Sequence, residues 1–228
     1  MTELLAELWP PIALTLALSA ATTLCLLVIG TWLALWLSET RWKGRHIIGA
    51  IVALPLVLPP TVLGFYLLIA LGPSGPGGML AGLWGGRTLA FSFPGLLIGS
   101  ILYSLPFMVH PLRTAFEALP REHAEVAYLF GASRWQRFWW IIVPLSRSGY
   151  LTGLVLTFAH TIGEFGVVLM IGGNIPGRTK VLSIAIYDYV ERLEWQSAHI
   201  VSLGLVVFGL VAVTAMLMVD RGGAHRNL

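Results

Sequence analysis

Hydrophobic positions in this chain fall in long unbroken runs rather than in the alternation of a half-buried soluble fold. Five runs, roughly residues 12–37, 47–71, 89–109, 149–171 and 198–219, reach the ~20 residues that a helix needs to cross a bilayer. Lipid offers no partners to backbone N–H and C=O groups, so each run is expected to be helical. The pattern predicts an all-α integral membrane protein with five transmembrane helices. Residues 1–228 then form a single transmembrane domain.

Polar and helix-breaking residues inside two of these runs are the first candidates for function. Pro55, Pro59 and Pro60 interrupt the second run, with Thr61 and Gly64 just beyond. A proline kink is tolerated in a membrane helix where neighbours or a water-lined cavity satisfy the freed carbonyls. Pro59, Pro60 and Thr61 therefore read either as a bend shaping a pathway or gate, or as a structural kink. In the fourth run Thr157, His160, Thr161 and Glu164 share one helical face. A carboxylate at membrane depth costs about 2.5–3.5 kcal/mol on insertion scales and faces the bundle interior. Glu164 is expected to pair with His160 or to accept hydroxyl and backbone hydrogen bonds. A role for Thr157 and Glu164 in the pathway, a gate or a dimer interface is the alternative. Direct binding of an anion by Glu164 is disfavoured, because like charges repel. No His-Glu-x-x-His pattern is present and His199 stands alone, so no metal site is expected.

Composition supports the membrane reading. The chain is 57% hydrophobic and 11% charged, against about 25% charged in soluble domains. Its one cysteine, Cys25, excludes a disulfide framework within the chain. The net charge of +3 reads as an orientation signal rather than a nucleic-acid footprint, because the basic residues flank the spans. One side carries ten of them: Arg41, Lys43, Arg45, Arg113, Arg121, Arg134, Arg137, Arg147, Arg221 and Arg226. The other carries four, Arg87, Arg178, Lys180 and Arg192. The bias places the N-terminus outside and the C-terminus in the cytoplasm. Glu3 and Glu7 stand where a secretory signal would be basic, so no signal peptide is expected.

Two connections remain. Gly72–Gly86, rich in Gly and Pro, is expected to be irregular and outside. The cytoplasmic segment of residues 110–148 is long for a structureless loop. Pro120 ends one element, Glu122 and Glu125 open a short helix, and Gly131 permits a tight turn. A second helix follows, with Trp135, Phe138, Trp139 and Ile142 on one face and Arg134 and Arg137 exposed. Pro144 is expected to mark the start of the next membrane segment. Such a helix–Gly–helix element is either an interfacial anchor or a surface that grips another protein.

Its spacing favours the second reading. Glu125-Val126-Ala127, three residues, Gly131, nine residues, Ile141, one residue, Val143-Pro144 resembles the signature loop of ABC-importer permeases. That pattern is Glu-Ala-Ala, three residues, Gly, nine residues, Ile, one residue, Leu-Pro. "LPLVLPPTVLGF" (54–65) and "GEFGVVLMIGGNIPGRTKVLSIAIY" (163–187) resemble the molybdate group of this family, and less closely its sulfate members. The resemblance implies a type I ABC-importer permease fold in a bacterial cytoplasmic (inner) membrane, importing molybdate, with tungstate or sulfate as alternatives. It implies that Glu125 makes polar contact with a cytoplasmic ATPase, that Ala127 allows close packing, and that Gly131 makes the turn between the two helices of a coupling loop that runs to Pro144. It implies partners: a second permease copy, two ATPase subunits that use ATP and Mg, and an extracytoplasmic oxyanion-binding protein. Asn174, Arg178 and Lys180 would then lie at the outer mouth or contact that binding protein. No Walker motif is present, so the chain is not expected to be an enzyme or to bind a cofactor of its own. A rival class is a proton-coupled secondary transporter using His160 and Glu164.

Overall fold

The computed structural model describes residues 2–83, 85–120 and 131–224, and among these all regular structure is helical. Helix α1 (Thr2–Glu39) is followed by α2 (Arg45–Ala53), which passes through a 3₁₀ turn at Leu54–Leu56. Helix α3 (Pro60–Leu71) and the short α4 (Pro76–Gly82) come next. Then follow α5 (Phe93–Glu117) and α6 (Arg134–Leu145). Helices α7 (Arg147–Gly163), α8 (Gly166–Gly172), α9 (Leu182–Glu191) and α10 (Trp195–Ala224) complete the chain.

Three helices are long and apolar enough to cross a membrane as single rods: α1, α5 and α10. Two bent pairs bring the candidate crossings to five. Residues 45–56 meet α3 at 108°, and α6 meets α7 at 73°. The second run is therefore not one helix across residues 47–71. Pro59 and Pro60 lack the N–H groups that would continue the ladder, and a residue before proline is driven to extended backbone. Pro59 accordingly has φ −54° and ψ 135°, and Pro60 opens α3. The fourth run breaks as well. Helix α7 stops at Gly163, Glu164 and Phe165 are non-helical, and α8 restarts at Gly166.

The third run also departs from its expected limits. Its helix starts at Phe93, where Ser92 Oγ accepts from the N–H of Gly95 at 3.3 Å. It continues past Val109 to Glu117, because Leu112 and Phe116 still find a buried face. Pro144 does not open the next segment. It lies within α6, after a π turn at Phe138–Ile142. A wider turn accommodates the hydrogen bond that a proline cannot make. The break falls instead at Ser146, just before α7.

Helix α5 lies between α1 and α7, and glycines set the spacing. A Cβ on Gly30 would come within 2.7 Å of Met108, and one on Gly153 within 2.9 Å of its sulfur. Of the four apolar clusters among the described residues, two are larger than the rest. Leu26, Leu37, Val52, Met108 and Leu112 form one; Leu18, Leu96, Val168, Ile171 and Ile184 form the other. The two ends of the bundle are chemically distinct. One gathers the last turn of α1, the start of α2, the end of α5, α6 and the start of α7, through Arg45 donating to Thr40 O at 3.0 Å and Phe116 against Tyr150. The other gathers residues 71–93 and 171–194, through Leu89 N–H to Leu71 O at 3.0 Å and Phe91 N–H to Ile171 O at 2.8 Å.

Candidate functional site

The two helix breaks face one another. Between them lies a cavity of about 580 Å³, lined by Pro60 and Thr61 of α3, Tyr103 of α5, His160 and Gly163 of α7, and Glu164. Helix α8 closes one side with Leu169 and Met170. Small residues allow this approach. A Cβ on Gly64 would stand 2.7 Å from Met170 Cβ and 3.3 Å from Val167 Cα, and one on Gly166 would stand 2.8 Å from Pro60 Cβ. Of the expected pathway residues, Pro60, Thr61 and Glu164 line the cavity. Pro59 directly precedes α3, and Thr157 is buried further along α7.

Glu164 is 3% exposed, and neither carboxyl oxygen has a hydrogen-bond partner among the described residues. The hydroxyls of Ser100 and Thr157 are likewise unpartnered. The expected pairing of Glu164 with His160 is not formed. Non-helical backbone at Glu164 (φ −66°, ψ 127°) ends α7 there, and its carbonyl accepts from Ser183 Oγ at 2.6 Å. This ties the break to α9 and leaves the side chain as the uncommitted part of the residue.

His160 has other partners. Its ring stacks on Phe107 with centroids 3.9 Å apart and tilts against Tyr103 at 4.9 Å. Its Nδ1 lies 3.0 Å from Ser104 Oγ, which lies 3.1 Å from Thr161 Oγ1, which donates to Thr157 O at 2.8 Å. Each hydroxyl has one proton to give. Thr161 gives its proton to Thr157 O, so Ser104 must give its own to Thr161. His160 Nδ1 then donates to Ser104. That assignment leaves Nε2 as the nitrogen available to the cavity. Among the described residues no three His, Cys, Asp or Glu side chains group to hold a metal.

At the far end, the loop of residues 173–181 is pinned by a residue that sequence reasoning missed. Asp188 of α9 accepts from Asn174 Nδ2 at 3.0 Å, from Lys180 Nζ, and from Arg192 Nη2 at 2.9 Å. The Lys180 hydrogen bond, opposed by partial burial and helped by Asn174 and Arg192, holds its carboxyl below the usual carboxylate range. Asn174 and Lys180 are thus turned onto their own chain, and Arg178 is left exposed. The local spacing announces only Arg192, one turn further along; the other two partners of Asp188, Asn174 and Lys180, come from the preceding loop. Thr179, fully buried, donates to Gly172 O at 2.6 Å and fixes the turn from beneath.

At the opposite end, Glu125 and Ala127 lie outside the described residues. Gly131 has φ +78°, a left-handed conformation that favours glycine, as its expected turn requires. Helix α6 then starts on a reciprocal cap. Ser133 Oγ accepts from Gln136 N–H at 3.3 Å, and Gln136 Oε1 accepts from Ser133 N–H at 2.8 Å. The Ser-x-x-Gln spacing was legible in the sequence as a helix start. Phe138 is buried, while Trp135 and Trp139 remain more than half exposed.

Comparison with known proteins agrees with this architecture. The family model described as binding-protein-dependent transport system inner membrane component matches residues 26–222. The molybdenum transport system permease protein ModB of Azotobacter vinelandii is 52% identical over 205 residues, covering 90% of this chain and 91% of that protein. ModB of Escherichia coli K12 is 32% identical over 222 residues, covering 96% and 97%. The sulfate transport system permease protein CysT of Synechocystis is 30% identical over 196 residues, covering 86% of this chain and 68% of its own length. Among solved structures, the MetNI methionine ABC transporter in inward-facing conformations gives a TM-score of 0.73 at 17% identity, covering 97% of this chain and 98% of that one. A bacterial ABC transporter for import of the acidic polysaccharide alginate gives 0.71 at 22% identity, covering 96% and 79%. At those identities the structures establish the fold alone, and it is the expected ABC-importer permease fold. With the family match spanning most of the sequence, the chain belongs to the binding-protein-dependent transport system inner membrane components.

Proposed function

We propose that this chain is the membrane-spanning subunit of an ATP-driven importer that carries molybdate into the cytoplasm. The observation that carries the reading is its 52% identity to a molybdenum permease over 90% of the chain. The cavity chemistry supports it. The lining between the two helix breaks contains Thr61, Tyr103, His160 and Glu164 but no Lys or Arg. A deep cationic site would hold a dianion too tightly to release it; hydroxyls, an imidazole and water let it pass on the side of the cavity away from Glu164, which repels it. Sulfate is the weaker substrate reading, since the sulfate relatives match at lower identity and are longer than this chain.

The basic end of the bundle faces the cytoplasm in this proposal, with the N-terminus outside. Two permease copies pair. Each presents the loop around Glu125, Ala127, Gly131 and Pro144 to one of two ATPase subunits, which supply ATP and Mg. ATP binding closes the ATPase dimer, draws the two loops together and biases the spans toward the outward-facing state. An extracytoplasmic binding protein delivers the oxyanion to the mouth beside Arg178. The chain itself carries out no chemical step.

The test is mild-detergent purification of the chain from its host, followed by uptake in vesicles. A stoichiometric ATPase should co-purify, and molybdate uptake should require ATP and exceed sulfate uptake. Uptake by the chain alone, driven by a proton gradient, would reject the proposal in favour of a secondary transporter using His160 and Glu164.

A further inference from the structure

A second, larger cavity lies far from the first. It is a groove of about 720 Å³ between the last turns of α1 and helix α6. Trp32 forms its floor, stacked on Phe138 with centroids 5.0 Å apart and edge-on to Trp135 at 5.6 Å. Leu35 and Ile141 extend the apolar wall; Arg134 and Arg137 line the α6 side, and Trp36 and Glu39 the α1 side. Arg137 Nε is buried without a hydrogen-bond partner among the described residues. The four ion pairs among those residues lie elsewhere, so Glu39, the one acid on the lining, neutralises neither arginine.

We propose that this groove binds an anionic phospholipid, its phosphate held by Arg134 and Arg137 and its acyl chain laid against Trp32, Leu35 and Ile141. The shape of the chemistry selects the occupant. A guanidinium fork matches phosphate oxygens in two-point geometry, and Arg137 has a donor without an acceptor among the described residues. Tryptophan settles at headgroup depth because its ring is apolar with one polar edge. A free phosphate would use the arginines and leave the aromatic floor wet; a lipid uses both. The groove also sits on the basic end of the bundle, close to Arg41, Lys43 and Arg45, where a negatively charged leaflet is the complementary surface. The site does not depend on which ion is transported. On the importer reading it gives the lipid a function: a headgroup there braces α6, the helix that follows the Gly131 turn.

Tryptophan quenching tests this directly. The full chain is placed in nanodiscs containing brominated phosphatidylglycerol or brominated phosphatidylcholine. Three of its nine tryptophans, Trp32, Trp36 and Trp135, line the groove. The expected result is a preference for the anionic lipid, each arginine contributing up to about fivefold. R134Q/R137Q should bring that preference close to one. R41Q/K43Q, which removes two charges from the same end outside the groove, should leave most of it. No preference in the unmodified chain overturns the proposal, as does equal loss in both variants, which would mean a diffuse surface-charge effect. The preference must also survive assembly with the co-purified ATPase; its disappearance there would assign the groove to a protein partner. The quenching of the chain and its variants alone involves neither transport nor the ATPase, so failure of the importer reading would leave it unchanged; only the assembly comparison needs that partner.

Discussion

Two acidic residues carry opposite arguments. Glu164 is buried with both carboxyl oxygens outside hydrogen-bond geometry among the described residues, so an ionised form has no cation beside it and only the Ser100 hydroxyl nearby to compensate it. Its retention therefore costs stability rather than supplying it. Glu164→Gln, which keeps the shape and removes the charge, should melt in detergent at the same temperature as the parent or higher. A clear fall in melting temperature would mean that the carboxylate has a structural partner. Asp188 is the reverse case, a carboxyl shared by Lys180, Asn174 and Arg192. Its folded-state pKa is depressed. Its contribution is therefore present in full above the unfolded value, about 3.9, and is lost as pH falls through the lower folded value. Hydrogen exchange of residues 173–181 should be insensitive to this group from pH 8 to 5. Asp188→Asn should accelerate that exchange at neutral pH without unfolding the bundle. Unchanged exchange in the variant would show that Thr179 alone holds the loop.

At the scale of elements, the close approach of α3 to α8 and the free face of α10 make a paired test of glycine. At Gly64 an added Cβ meets Met170 and the backbone of Val167. Gly64→Ala should destabilise by about 1–3 kcal/mol, the usual cost of overpacking, and should perturb the cavity. At Gly204 and Gly209 an added Cβ meets nothing within 4 Å among the described residues. Alanine there should raise helix stability by about 0.5–1 kcal/mol. Thermal melting of the three variants in one detergent checks both signs. The same elements show what a sequence does and does not disclose. The five apolar runs were legible from length, but among the described residues only three became single long helices, and the other two candidate crossings are bent pairs. The interruptions were legible as residue types, Pro59-Pro60 and the Gly-Glu-Phe-Gly of residues 163–166, but not as geometry. Neither the 108° bend nor the placing of Glu164 in a gap between helices follows from hydropathy. The His160–Ser104 bond joins α7 to α5 across the bundle. Helical spacing put Glu164 on the same face as His160, but it could not reveal a partner on another helix.

For the whole molecule, the question is how one end signals to the other. Gly131 stands at the hinge of that argument. Its φ of +78° is available to glycine at little cost, and a Cβ there would meet no neighbour within 4 Å among the described residues. A bulky residue would thus be disfavoured by backbone strain whatever the space, and a β-branched one most strongly. Gly131→Val should leave the two apolar cores intact, since neither contains this residue. It should instead redirect the chain entering α6, whose Ser133 cap begins two residues later. On the proposed importer function, Gly131→Val should cut ATP-dependent uptake by an order of magnitude or more, taking each 1.4 kcal/mol of lost coupling as about tenfold. Chain abundance and melting temperature should stay near those of the parent. Gly131→Ala, which also leaves glycine's favoured region but lacks the branched side chain, should fall between them. Uptake and ATP hydrolysis measured on the same vesicles separate the possibilities. Hydrolysis that continues while uptake falls places the defect in transmission between subunits; loss of the ATPase from the preparation places it in docking. Full uptake by the valine variant would show that the turn at Gly131 does not transmit the stroke, and that α6 receives it by another route.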